Sequence, residues 1–247
     1  MYLAPFLLAA GALAIRAQAG PPLGFVLVGD STTNNGTQPN TGGWSNGFCA
    51  ALADVPRSAC INAAHDGATT GSTIASGQFE TALGFVRALV AEGRRTLVTV
   101  QFGHNDQKIA PPESMGANLT IMVDAIRAAN GEPVLVTSLT RRNFFANGSV
   151  NDALEPWAEE TLLIASQEGA HALDLHQTSI DYITAIGPDA AHRLNRLPDD
   201  NTHLNANGTI VFGRMVAELM SASFPGIVEL TVDEELDFNI THGIPSF

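Results

Sequence analysis

The seven residues Thr96-Leu97-Val98-Thr99-Val100-Gln101-Phe102 stop abruptly on Gly103-His104-Asn105-Asp106. A short run rich in β-branched and aliphatic residues that breaks on glycine and polar residues reads as a buried strand reaching its carboxyl end. The pattern recurs. Phe25-Val26-Leu27-Val28 breaks on Gly29-Asp30-Ser31-Thr32, and Cys60 to Ala64 breaks on His65-Asp66-Gly67-Ala68. Pro133 to Leu139 and His171 to Leu175 complete a set of five. Between them lie stretches of helical period. Phe79 to Glu92 carries Phe79, Leu83, Val86 and Val90 on one face and stops at Gly93. Met115 to Ala129 carries Leu119, Met122, Val123 and Ile126 and closes on Asn130-Gly131. A short helix is expected over Trp44 to Ala53, another up to about Gln167 before Gly169, and a last long one over Ala206 to Met220; Ile180 to Ile186 follows the fifth strand. Strands alternating with helices predict a parallel sheet covered on both faces. The expected fold is α/β, a three-layer α/β/α sandwich with a flavodoxin-like five-stranded parallel sheet in the order 2-1-3-4-5. A chain of 247 residues is long enough for one such domain, and no repeat or linker divides it.

The two ends read differently from the middle. Phe6 to Ile15 is an apolar run bracketed by Pro5 and Arg16 and followed by Ala17-Gln18-Ala19, a small-x-small cleavage site. The run is too short for the roughly 20 residues of a membrane span. It predicts a signal peptide over residues 1–19 and a single domain over residues 20–247, secreted and extracellular, with no membrane attachment after cleavage. The stretch Ser221 to Phe247 is acidic, through Asp233, Glu234, Glu235 and Asp237, and is set apart as an extension without an assigned role. The net charge of −13 becomes more negative once Arg16 is removed. That excludes nucleic acid and anionic membrane as partners, since both require a basic patch. Cys49 and Cys60 fit a single disulfide in an oxidising compartment, the alternative being two buried thiols; their spacing is not that of a zinc ribbon. Asn35, Asn118, Asn147, Asn207 and Asn239 each open an Asn-x-Ser/Thr sequon and are candidate glycosylation sites.

In open α/β sheets, ligands bind outside the carboxyl ends of the strands. Ser31 stands there, but a hydroxyl is a poor nucleophile until a base takes its proton. Of the seven histidines, His203 in Asp199-Asp200-Asn201-Thr202-His203 is the one with a suitably placed carboxylate. Asp200, three residues earlier in the same turn, can curl back to Nδ1 and leave Nε2 for the serine. Taken alone, such a pair also fits a solvated turn that caps a helix. Acyl transfer further needs donors for an oxyanion. The Gly67 backbone N–H and the Asn105 side chain follow the second and third strands, where a turn glycine and a loop cap are the ordinary readings. Four separate segments thus converge on one end of one sheet. Two other arrangements fail. Gly43-Trp44-Ser45-Asn46-Gly47 fits the G-x-S-x-G elbow, but a polar loop rather than a strand precedes it. Ser45 is therefore read as a helix N-cap, with Trp44 beside the site or in the core. His104, Asp106, Asp200 and His203 lack the further His-rich blocks of a metallohydrolase, so no metal and no cofactor are expected. His65 is read as a cleft residue, and His171, His176, His192 and His242 as surface or supporting residues.

Gly29-Asp30-Ser31, Gly67, Gly103-His104-Asn105-Asp106 and Asp200-x-x-His203, in that order, resemble the four blocks of the SGNH (GDSL) hydrolases. The resemblance runs from Phe25 to Met220. Within that superfamily the chain most resembles the rhamnogalacturonan acetylesterases, through Gly-Asp-Ser-Thr at 29–32, Gly43-Trp44, Gln78-Phe79-Glu80, Thr137-Ser138-Leu139-Thr140, and His203 with Gly208. The resemblance implies Ser31 as nucleophile, His203 as general base, Asp200 as its orienter, and an oxyanion hole from Ser31, Gly67 and Asn105. It implies an esterase acting as a monomer on an acetylated plant polysaccharide, most simply pectin. Acetylxylan, a lipid ester, or a silent glycan-binding role on the same fold are the alternatives. Arg141-Arg142-Asn143 and the tail beyond Phe224 depart from the pattern. An acidic protein repels uronates, so Arg141 and Arg142, or Arg193 and Arg196, are expected to offset that charge locally.

Overall fold

The computed structural model describes residues 20–36 and 41–247. The expected signal peptide, residues 1–19, lies outside the described residues. Five strands form one all-parallel sheet: β1 (Leu23–Gly29), β2 (Cys60–Asn62), β3 (Arg95–Gln101), β4 (Glu132–Val136) and β5 (His171–Leu173). Their order is β2-β1-β3-β4-β5, as expected from the alternation of elements. The helices are α1 (Ser45–Ala51), α2 (Thr70–Ala75), α3 (Gln78–Ala91), α4 (Pro112–Ala128), α5 (Glu155–Glu168), α6 (Leu175–His192), α7 (Ala206–Ser223) and α8 (Glu234–His242).

The sheet is buried on both faces, which is why its strands read as unbroken apolar runs rather than alternating ones. Successive side chains of β1 point to opposite faces. Phe25 and Leu27 join Leu97, Val134 and Val136 in a core closed by α1, α6 and α7. Val26 and Val28 join Val98, Val100 and Leu135 in a second core closed by α3, α4 and α5. β1 and β3 pair over their full length, from Leu23 opposite Arg95 to Gly29 opposite Gln101. That long central register sets the loops after β1 and β3 side by side.

Several local expectations shift. On α3 it is Leu89, not Val90, that is fully buried. β4 ends at Val136 and β5 at Leu173, both earlier than the apolar runs suggest. After β5 the Asp174 side chain accepts from Gln177 N and starts α6, so Ile180 to Ile186 lies in mid-helix. Ser45 is not an N-cap. Trp44 holds that position, while Ser45 Oγ sits between Asn35 Oδ1 (3.1 Å) and Asn62 Nδ2 (2.7 Å). Trp44 itself is fully buried.

The acidic tail folds back onto the main core. Phe224, Val228, Leu236 and Ile240 join the cluster of Phe25 and Leu27. Arg214 of α7 fastens it, donating to Thr231 O (2.7 Å) and Asp237 Oδ2 (2.6 Å). Cys49 and Cys60 form a disulfide with a Cα–Cα distance of 5.9 Å, linking α1 to the start of β2. Among the sequon asparagines, Asn118 turns its Nδ2 onto Thr70 Oγ1 (3.0 Å), whereas Asn147 and Asn207 are exposed.

Candidate active site

The turn after β1 is built from below. Thr33 N and Asn34 N both donate to Asp30 O (3.1 and 2.9 Å). The Asp30 carboxylate is wholly buried, and its Oδ1 accepts from Thr32 N (2.8 Å) with Thr32 Oγ1 also at 2.8 Å. Gln101, at the end of β3, offers Oε1 to Thr33 Oγ1 (2.6 Å) and Trp44 Nε1 (3.3 Å), with Thr32 Oγ1 at 3.0 Å. A Cβ on Gly29 would lie 2.8 Å from Gln101 O, so only glycine lets these strands end so close together. Of this turn, the Ser31 side chain is left facing the cleft.

The ring that faces Ser31 comes from the loop before α7. Ser31 Oγ lies 2.9 Å from His203 Nε2. On the other side of the ring, His203 Nδ1 lies 2.9 Å from Asp200 Oδ2 and 3.0 Å from Oδ1. The Thr202 and His203 N–H groups also donate to Asp200 Oδ1, and Arg196 Nη2 reaches Oδ2 at 2.7 Å. Partial burial pushes the Asp200 carboxyl up, but the hydrogen bonds and charge of His203, with the Thr202 N–H, outweigh it and hold it at about 2. It is therefore ionised at neutral pH and fixes the tautomer of the ring.

Arg142 holds this loop from inside the protein. Its wholly buried guanidinium donates to His203 O (2.8 Å), Asn195 Oδ1 (2.9 Å) and Thr140 O (3.3 Å), and its own N–H donates to Asn201 O (3.0 Å). Burial pushes its pKa down to about 9, with Asp200 opposing, which leaves it charged at neutral pH. The expectation that Arg142 offsets charge at the cleft is thereby corrected. Arg193 is likewise elsewhere, stacked 4.1 Å over the Phe247 ring. Arg141 and Arg196 do line the cleft.

Across the cleft lie Gly67 and Asn105. Gly67 has φ +72°, a left-handed conformation that glycine adopts without strain, and its turn leads into α2. Asn105 Nδ2 donates to Ala68 O (3.0 Å), and Lys108 Nζ donates to Asn105 Oδ1 (2.8 Å). The amide is thus fixed at both ends, and a second hydrogen remains on its nitrogen. Among the described residues, the Ser31 and Gly67 N–H groups donate to no protein acceptor. Ser31, Gly67, Asn105 and His203 line one cavity of about 400 Å³, together with Asp66, His104, Lys108, Arg141, Arg196 and Thr202. His65 is exposed and is absent from that lining.

Of the residues weighed as metal ligands, Asp200 and His203 pair with each other, Asp106 is held at the start of α2, and the buried His104 ring makes no hydrogen bond among the described residues. Asp106 Oδ1 accepts from Thr70 N (3.0 Å) and Oγ1 (2.6 Å) at the start of α2. His104 is buried, with Nδ1 3.8 Å from Asp30 Oδ2. Burial and then the Arg141 and Arg142 charges hold it well below the usual imidazole range, so it is neutral. Burial likewise pushes the Asp30 carboxyl up to about 6, despite its bonds from Thr32. His176 is a buried support. Its Nε2 meets Asp152 Oδ2 and its Nδ1 meets Ser138 O, both at 2.9 Å. His192 Nε2 reaches Arg142 O (3.0 Å), behind the base loop. Gln101 escapes sequence reasoning because its partners lie on other segments, and Lys108 because a lone lysine three residues after Asn105 carries no pattern of its own.

Residues 27–209 match the GDSL-like lipase/acylhydrolase family. Over 214 residues the chain is 28% identical to the rhamnogalacturonan acetylesterase RhgT of Bacillus subtilis strain 168, covering 80% of this chain and 89% of that protein. In fold it resembles YxiM of Bacillus subtilis, with a TM-score of 0.71, 19% identity and 85% of this chain covered; it spans 59% of that solved chain. It also resembles Axe2, an acetylxylan esterase of Geobacillus stearothermophilus, with a TM-score of 0.57 and 15% identity over 83% of this chain and 95% of that one.

Proposed function

The chain belongs to the GDSL-like lipase/acylhydrolase family, and from that premise we propose that it is a secreted serine esterase removing O-acetyl groups from plant cell-wall pectin, foremost rhamnogalacturonan. The observation that carries the chemistry is the continuous line from Ser31 Oγ through His203 to Asp200, with links of 2.9 Å each, beside Ser31 and Gly67 N–H groups that find no acceptor among the described residues. The likeness to RhgT over 89% of its length supports the substrate class. The cleavage-site pattern at residues 17–19 and the Cys49–Cys60 disulfide support secretion.

In this mechanism His203 Nε2 takes the Ser31 proton as Oγ attacks the acetyl carbonyl. The tetrahedral oxyanion accepts from the Ser31 and Gly67 N–H groups and from Asn105 Nδ2. The C–O bond to the sugar then breaks, and His203 returns the proton to the leaving alkoxide, so a sugar alcohol departs and Ser31 keeps the acetyl group. Water, deprotonated by His203, attacks the acyl-serine. The tetrahedral intermediate collapses as His203 returns the proton to Ser31 Oγ, and acetic acid leaves and gives its proton to solvent. Asp200 stays ionised throughout and stabilises the imidazolium. The sequence of steps needs no metal or cofactor.

The test measures acetate released from acetylated rhamnogalacturonan, acetylated homogalacturonan and acetylxylan, by wild type and Ser31→Ala in parallel. Release from rhamnogalacturonan that disappears in Ser31→Ala is the expected result. Release favouring xylan would keep the chemistry and overturn the substrate. Equal activity of wild type and variant would overturn the assignment of the nucleophile.

A further inference from the structure

We propose that Arg141, with Lys108, forms a carboxylate subsite in the cleft beside Ser31, occupied by a uronate of the acetylated chain. The inference rests on the pectin reading and adds the residues that would recognise it. Across the whole chain, Asp and Glu outnumber Lys and Arg by 25 to 12. Among the described residues the cleft inverts that balance, because Lys108, Arg141 and Arg196 line it against Asp66. Arg196 is already paired with Asp200. Among the described residues, Arg141 and Lys108 belong to no ion pair.

Arg141 is the stronger of the two. It is half-buried, and a desolvated charge without a counterion is costly unless something supplies one. The protein holds it in place with neutral groups, and among the described residues the only carboxylate that offsets its burial, Asp30, lies beyond ion-pair distance. Nε donates to Thr202 Oγ1 (3.3 Å), and with the Gln107 amide turned so that its oxygen faces the guanidinium, Nη1 donates to it at 2.7 Å and Nη2 donates to it as well. A guanidinium has five N–H donors. Three are used among the described residues, which leaves one on each terminal nitrogen; the two point apart, so a carboxylate in the cleft would take one charge-assisted hydrogen bond from the guanidinium. Thr202 precedes the base and Gln107 follows Asn105, so Arg141 is tied to both sides of the catalytic cleft. A carboxylate bound there would fix the sugar, and hence its acetyl group, relative to Ser31.

The experiment measures inhibition of 4-nitrophenyl acetate hydrolysis, a neutral reporter, by unacetylated oligogalacturonate, by xylo-oligosaccharide and by sodium acetate. Wild type, Arg141→Gln, Arg141→Lys and Lys108→Gln are compared. Oligogalacturonate is expected to inhibit wild type competitively. Its inhibition constant should rise by about 10- to 100-fold in Arg141→Gln, the range for a lost hydrogen bond to a charged group, and less in Arg141→Lys and Lys108→Gln. Calorimetric titration of oligogalacturonate into Ser31→Ala, with and without Arg141→Gln, reads the same contrast where turnover is too low to follow. Equal inhibition by xylo-oligosaccharide, or no dependence on Arg141, overturns the subsite. Acetate acting at lower concentration than oligogalacturonate, with the same Arg141 dependence, would assign the group to released product and overturn the uronate. The two readings fail separately. Arg141-dependent binding of oligogalacturonate together with acetate release from xylan alone would retain the subsite and reject the pectin substrate.

Discussion

Asp30→Asn should make the protein more stable at neutral pH than at acid pH, relative to wild type. The Asp30 side chain is wholly buried one residue before Ser31, and Oδ2 has no hydrogen-bond partner among the described residues. Burial raises its pKa from 3.8 to about 6. Because the folded-state value lies above the unfolded one, the folded chain binds the extra proton between those values. The stabilisation is therefore fully present below pH 3.8 and is lost as pH rises through 6. A shift of this size corresponds to about 3 kcal/mol, most of it lost between pH 4 and pH 6.5. Asparagine keeps an oxygen for Thr32 and cannot ionise. Other groups titrate in both proteins and cancel in the difference. The assay is Tm by calorimetry at intervals from pH 4 to pH 7.5. At about 2–4 °C per kcal/mol for a chain of this size, the Tm of Asp30→Asn minus that of wild type should climb by about 5–10 °C across the range. A flat difference, or one that falls with pH, would refute the argument from burial.

Arg142→Met should lower Tm by about 6–12 °C. It leaves Thr140 O and Asn195 Oδ1 without their donor and removes one of two donors to His203 O, at a net cost of about 3 kcal/mol. On 4-nitrophenyl acetate its kcat should fall more than KM changes, because the base loop is loosened while the cleft is kept. Asp200→Asn should leave folding intact, checked by circular dichroism, and lower kcat by about ten-thousandfold, because the amide no longer holds the ring in the tautomer in which Nε2 faces Ser31. Replacing Cys49 and Cys60 together by serine opens a loop with a sequence separation of 11. That should cost about 3 kcal/mol, read as a Tm drop of about 6–12 °C in thermal melts.

The strands were legible because a sheet buried on both faces demands continuous apolar runs, and Gly29, Gly67 and Gly103 punctuate their ends. Their order followed from the alternation with helices. Boundaries were less legible: Asp174 starts α6 earlier than the apolar run suggests, and Ser45 answers to Asn35 and Asn62 rather than to its own helix. The groups at the site could be read because Ser31, Gly67, Asn105 and His203 each stand in a loop at a strand or helix end. Their supports could not. Gln101 meets Thr33 across 68 positions, and Arg142 meets His203 across 61. Contacts at such separations leave no local pattern. The adjacent pair Arg141 and Arg142 shows the limit most directly, since one lines the cleft and the other is buried behind it.

That Ser31 carries the acetyl group from sugar to water is tested most directly by rapid acid quench during turnover of acetylated rhamnogalacturonan, followed by peptide mass mapping. An acetyl increment on the peptide containing Ser31, transient in wild type and absent from Ser31→Ala, is the expected result. Full turnover with no acyl-enzyme on that peptide, or an acetyl group on a different residue, would contradict it.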